Sequence, residues 1–185
     1  VERVQVDVLD GQFVPGVFSW PYNTIESSKE FEAIVRGEEG MPLRSSLKVV
    51  LKPQKTYENK SKVRAYSTSN LRYFAYSGGS WIGDKFQLYT TSLGKFTLIA
   101  DTIPPTLRIL QQSRNEISCL ISDDLSGIGD YTVTVNGEWV LMNYDYKTRK
   151  IVSEKKDPSK PFIGDLVITI ADKVGNKKIY TSKIN

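Results

Sequence analysis

The chain has 185 residues, with 39% hydrophobic and 25% charged side chains and a formal net charge of +4. At ~100–200 residues per domain it holds one large domain or two small ones, and its composition suits a folded chain rather than a disordered one. It contains no histidine and one cysteine. This excludes His-dependent triads, His zinc sites, imidazole acid–base catalysis, an intrachain disulfide and a cysteine zinc cluster.

No apolar run approaches the ~18 residues of a membrane helix, so no span is expected. Up to Ala100 there are 13 basic and 10 acidic residues, and beyond it 12 and 11. The densest basic stretches, Lys52 to Arg64 and Lys147 to Lys160, contain Glu58 and Glu154 with Asp157, respectively. They read as solvated loops or edge strands rather than a nucleic-acid patch, so no nucleic-acid partner is expected. The chain opens on Val1-Glu2-Arg3, without initiator Met or signal-peptide pattern, as expected of a mature or excised portion of a longer protein.

Short alternating runs of Val, Ile, Tyr, Phe and Thr, broken by Gly, Asn, Asp, Ser and Pro, make strands the dominant signal. In chain order, strands are expected near Val4–Leu9, Val17–Trp20, Glu30–Val35, Leu47–Leu51, Val63–Tyr66, Leu71–Tyr76, Phe86–Thr90 and Lys95–Ala100. Ser27–Arg36 also admits a helix, because Phe31, Ile34 and Val35 have helical spacing after a capping serine. The strand is preferred there because its surroundings are β. Tyr73-Phe74 and Tyr76 followed by Gly78-Gly79 read as a strand ending in a turn.

Asp101-Thr102-Ile103-Pro104-Pro105 is the sharpest punctuation. Two prolines cannot continue a ladder, and each holds the residue before it extended. The expected organisation is an N-terminal β-sandwich over 1–100, a linker over 101–105 and a C-terminal β-sandwich over 106–185. The second half contains strand signals at Thr106–Gln111, Glu116–Ser122, Asp130–Val135, Glu138–Tyr144, Ile151–Glu154, Asp165–Ala171 and Lys177–Ser182. Asn136-Gly137 between two alternating runs predicts a two-residue type I′ hairpin. That register pairs Val135 with Glu138, Thr134 with Trp139, Val133 with Val140, Thr132 with Leu141 and Tyr131 with Met142. Tyr131, Val133, Val135, Val140, Met142 and Tyr144 then share the core face, and Trp139 with Leu141 points outward.

Four segments carry a resemblance: Asp101-Thr-Ile-Pro-Pro105, Ser122-Asp-Asp-Leu-Ser-Gly-Ile128, Val135-Asn-Gly-Glu-Trp-Val140 and Ala171-Asp-Lys-Val-Gly-Asn176. Their order resembles a bacterial immunoglobulin-like domain that opens on a D-T-x-P-P linker and closes on D-x-x-G-N. With Trp81, Phe86-Gln-Leu-Tyr89 and Leu93-Gly-Lys-Phe96, the tandem is similar to the non-catalytic C-terminal region of LytM/lysostaphin-type cell-wall metallopeptidases of Gram-negative bacteria. The resemblance implies an all-β fold of two tandem immunoglobulin-like sandwiches and an exported location: periplasmic, cell-surface or secreted. It also implies a role in positioning a peptidase near peptidoglycan. The family's H-x-x-x-D and H-x-H zinc motifs cannot exist in a chain without histidine, so no catalytic residue and no cofactor are expected here. Asp101-Thr102-Ile103 also resembles the Asp–Thr–aliphatic O-glycosylation site of one bacterial phylum's exported proteins.

Asp123, Asp124 and Asp130 offer oxygen ligands to calcium, but not at EF-hand spacing, and Asp in such segments ordinarily accepts backbone hydrogen bonds in turns. Asp145, Asp165 and Asp172 read the same way, rather than as paired carboxylates for glycoside hydrolysis. Ser126-Gly127-Ile128-Gly129 lacks the lysine of a phosphate loop and reads as a turn. Cys119 alternates with Ile117 and Ile121 and reads as a core residue. Trp20, Trp81 and Trp139 could stack on sugar rings. For Trp20 and Trp81 core or interdomain packing is the preferred reading, and the contact candidates are Trp139, Leu141, Trp81 and Trp20. Expected partners are catalytic or other domains of a parent protein, and peptidoglycan or another glycan. The competing functional class is a carbohydrate-binding or adhesive module.

Overall fold

The computed structural model describes residues 5–7, 33–35, 46–51, 53, 56–68, 73–92 and 94–185. The expected strand at Val17–Trp20, and Trp20 with it, lie outside the described residues. The chain divides into two compact units, Val1–Asp101 and Thr102–Asn185. The fold is all-β, with four antiparallel sheets, two in each unit, and no α-helix among the described residues.

In the N-terminal unit one sheet has the order β1 (Gln5–Asp7), β3 (Leu47–Leu51), β7 (Lys85–Thr90), β6 (Ser80–Ile82). The other has the order β2 (Ala33–Val35), β8 (Gly94–Ala100), β4 (Val63–Thr68), β5 (Ala75–Gly78). Alternation determines the faces: Leu47, Val49 and Leu51 of β3 and Phe86 and Leu88 of β7 are buried and meet Val63, Ala65, Phe96 and Leu98 from the second sheet. Tyr57 closes this core, and its hydroxyl donates to the Leu98 carbonyl at 3.1 Å.

In the C-terminal unit one sheet has the order β13 (Met142–Asp145), β14 (Lys150–Ser153), β10 (Ile117–Ser122), β9 (Thr106–Gln112). The other has the order β12 (Glu138–Trp139), β11 (Ile128–Val135), β15 (Gly164–Asp172), β16 (Lys177–Ile184). Their inner faces supply Ile117, Cys119, Ile121 and Ile151 from one sheet and Val133, Leu166, Ile168 and Ile170 from the other. Two sheets sharing one core in this way are consistent with a β-sandwich.

Two expected elements differ from what forms, for the same reason. Glu138–Tyr144 is not one strand: β12 pairs with β11, whereas β13 pairs with β14, with Met142 opposite Ser153. The chain crosses between sheets at Val140–Leu141, where the Val140 N–H still reaches the Val133 carbonyl (2.9 Å) and the Leu141 carbonyl accepts from Glu154 N–H (2.8 Å). The expected Thr132–Leu141 and Tyr131–Met142 pairs therefore do not form. Likewise Gly78-Gly79 is not a simple turn, since β5 lies in one sheet and β6 in the other. At Gly79, φ is +92, and a Cβ would strike the Phe86 ring, so the crossing needs glycine there. β6, which carries Trp81, has no counterpart among the expected strands.

Candidate functional site

The Asn136-Gly137 turn has φ of 50 and 79, and it sets the register Val135↔Glu138 and Thr134↔Trp139. That register places Val133 and Val135 in the core and turns Trp139 outward, where it is 58% exposed. Trp139, Thr134, Val167 and Thr181 form one cross-strand row on the outer face of this sheet. Thr132, Thr169 and Ile179 form another, and Ile179 is 59% exposed. The surface is thus an indole and aliphatic groups interleaved with threonine hydroxyls, which suits contact with a surface that is partly apolar and partly hydroxylated. Leu141 lies in the sheet crossing and is half-buried, without the Thr132 pairing that would have set it beside Trp139. Val167 and Ile179 were not anticipated as members of this face, because only the β11–β15–β16 register brings them there.

Trp81 has a different environment. It packs against the N-terminal core, edge-on to Tyr57 (centroids 5.7 Å) and to Phe86 (5.4 Å). Lys60 Nζ sits 4.6 Å from its ring centroid and donates to the Gly83 carbonyl at 3.3 Å. Its indole N–H is buried with no hydrogen-bond partner among the described residues. These contacts make Trp81 a packing residue of its own unit.

The acidic residues build turns. Asp123 Oδ2 accepts from the N–H groups of Leu125 (3.1 Å) and Gly127 (2.7 Å) and from the Ser126 hydroxyl (3.4 Å). Asp172 Oδ1 accepts from Val174 N–H (2.9 Å) and Asn176 N–H (2.8 Å), and its Oδ2 accepts from Asn176 Nδ2 (2.7 Å). The two carboxylates come within 4.8 Å of each other. The donors engage Asp123 Oδ2 and both carboxylate oxygens of Asp172. The two turns are joined by Lys173 N–H to the Gly127 carbonyl (3.0 Å), and Asn176 Nδ2 reaches the Ile103 carbonyl (3.4 Å). Asp124 and Asp130 are exposed, and Asp130 accepts from the N–H of Tyr131 (2.8 Å). Asp123 is therefore brought beside Asp172, a neighbour that sequence spacing does not reveal.

Cys119 is fully buried, and burial pushes its thiol up to about 11, away from the thiolate range of a nucleophile. The Asp145 carboxyl is held below its ordinary 3.8 by the Thr148 hydroxyl and the Lys147 N–H, which close the β13–β14 turn. Ser159 does the same for Asp157. No helix among the described residues is long and apolar enough to cross a membrane. Compared with protein-family models and with curated proteins, the sequence matches none.

Proposed function

We propose that this chain is a non-catalytic tandem accessory region, immunoglobulin-like in both units, of an exported bacterial cell-envelope protein. In this reading it positions a peptidoglycan metallopeptidase domain that lies outside the chain. The observation that carries the proposal is the use made of the motif residues in the C-terminal unit. Ile103, Asp123, Gly127, Asp172 and Asn176, which carry the resemblance to the accessory domains of such peptidases, spend their polar atoms on holding one another. Residues used in this way support a scaffold role. A chain without histidine also cannot contribute to the zinc site of that enzyme class.

The test is to compare the parent protein with a form lacking this region on intact peptidoglycan sacculi and on small soluble peptidoglycan peptides. The expected result is altered cleavage of sacculi with unchanged cleavage of soluble peptides. Equal behaviour on both substrates overturns the positioning role. Flanking sequence without any H-x-x-x-D and H-x-H pair overturns the peptidase parent.

A second reading, a carbohydrate-binding or adhesive module, is favoured by one observation: the exposed Trp139 in its threonine-lined sheet face. Retention of the chain on sacculi or on immobilised glycans, weakened by Trp139→Ala without loss of fold, supports it. Absence of retention on any glycan counts against it.

A further inference from the structure

Asn136-Gly137 is the one Asn-Gly pair in the sequence. Such a pair is chemically labile, because glycine leaves the following backbone nitrogen unhindered. That nitrogen can lose its proton and attack the Asn side-chain carbon, forming a C–N bond and expelling the amide nitrogen as ammonia. Water then opens the resulting succinimide to aspartate or isoaspartate. The pair sits on an exposed turn, where this reaction would ordinarily run freely.

Here both ends of the amide are tied down. Asn136 Nδ2 donates to the Ile163 carbonyl at 3.1 Å, and Asn136 Oδ1 accepts from the Asp165 N–H at 2.9 Å. The Asn136 backbone N–H donates to the Asp165 carbonyl at 2.8 Å, which fixes the turn itself to the same segment. Between the two side-chain partners stands Gly164, with φ +115, and a Cβ there would collide with the Asn136 amide. The segment is built to receive that side chain.

We propose that Asn136 is a modification site whose deamidation is withheld by the fold. Ring closure must release Nδ2 from Ile163 and free the side-chain carbon to meet the Gly137 nitrogen, so the reaction waits on detachment of the turn from residues 163–165. Once it occurs, the change is one-way. A carboxylate has no N–H for the Ile163 carbonyl, and an isoaspartate adds a backbone carbon to a two-residue turn. The Val135↔Glu138 and Thr134↔Trp139 register would then be lost, and with it the orientation of Trp139.

The full chain is incubated in mildly alkaline buffer, folded and in denaturing urea, and isoaspartate and aspartate at position 136 are followed by peptide mapping. Deamidation of the folded chain is expected to be at least roughly tenfold slower, the factor set by breaking the two side-chain bonds. Gly164→Ala is expected to bring the folded rate toward the urea rate. Equal rates in folded and denatured chains overturn the proposal. So does a Gly164→Ala variant that folds with the Asn136 rate unchanged. Should that variant not fold, the comparison in urea decides alone.

Discussion

The N-terminal and C-terminal units reach one architecture through different chemistry. Among the described residues, each has two four-stranded antiparallel sheets and a chain segment that leaves one sheet and enters the other. In the N-terminal unit the crossing is made at Gly79, and the core combines aliphatic side chains with Phe86, Phe96 and Tyr57, with Trp81 packed against it. In the C-terminal unit the crossing is made through Val140–Leu141 without glycine, and the core is aliphatic, with isoleucines from both sheets. The C-terminal unit is further closed by short-range polar turns at Asp123, Asp145 and Asp172. The contrast teaches that the sandwich requires an alternating apolar face, not a particular side chain.

Core truncations should break the comparison most sharply. Phe86→Ala and Ile168→Ala each remove a fully buried side chain, one from each core, at an expected cost of about 3–5 and about 2–5 kcal/mol respectively. Each should shift the unfolding transition of its own unit and leave the other in place. Cys119 belongs to the C-terminal core and is the sole thiol, so labelling in urea should report opening of that unit alone. Equal shifts of both transitions by either substitution would show that the units unfold as one body.

Next in size is Asp172→Ala, which removes the acceptor for three donors at a buried position and is expected to cost about 2–4 kcal/mol. The exposed Asp157→Ala should leave the same transition nearly unmoved, and chemical denaturation of both variants distinguishes a knot from an ordinary loop carboxylate.

The tryptophans sharpen the contrast further. Trp81→Ala should destabilise the N-terminal unit by about 2 kcal/mol, since it packs against Tyr57 and Phe86. Trp139→Ala should change stability by less than about 0.5 kcal/mol, as expected for an exposed surface position. A large loss at Trp139 in thermal unfolding would mean that its outer face is covered.

The smallest effect is on pH dependence. The hydrogen bonds to Asp145 and Asp157 lower their folded values below 3.8. Their contribution is thus fully present above that value and fades as pH falls through the lowered one. Carboxyl titration by NMR should find both below 3.8. Replacing Thr148 by Val should move Asp145 back upward while Asp157 stays where it is.

Much of this molecule was legible because its signals are local. Leu47-Lys-Val-Val-Leu51 alternates so cleanly that strand and buried face follow together, and β3 spans those residues. Asn136-Gly137 dictates its turn by backbone sterics, and from that turn the outward position of Trp139 follows by counting. The break after Asp101 falls at the head of the Asp-Thr-Ile-Pro-Pro segment, where prolines interrupt any ladder. The role of Cys119 as a core residue was readable from its alternation with Ile117 and Ile121.

Other features depend on partners distant in the chain. The run Glu138–Tyr144 carries no mark of its division between two sheets, because Met142 is claimed by Ser153 rather than by Tyr131, which is equally far along the chain. Trp81 and Trp139 are the same residue type in strand-like contexts. The local turn sets Trp139 outward, whereas the contacts of Trp81 with Tyr57 and Phe86 arise only in the tertiary structure. Asp172 lies beside Asp123 from 49 positions further along the numbering, and Gly164 receives the Asn136 amide from 28 positions further along. The sequence by itself determined what sterics and alternation enforce within a few residues: strands and turns. The tertiary structure decided which face Val167 and Ile179 join, which carboxylates meet and which amide is clamped. Those outcomes depend on cross-strand register, which arises only when both sheets bury their apolar faces together.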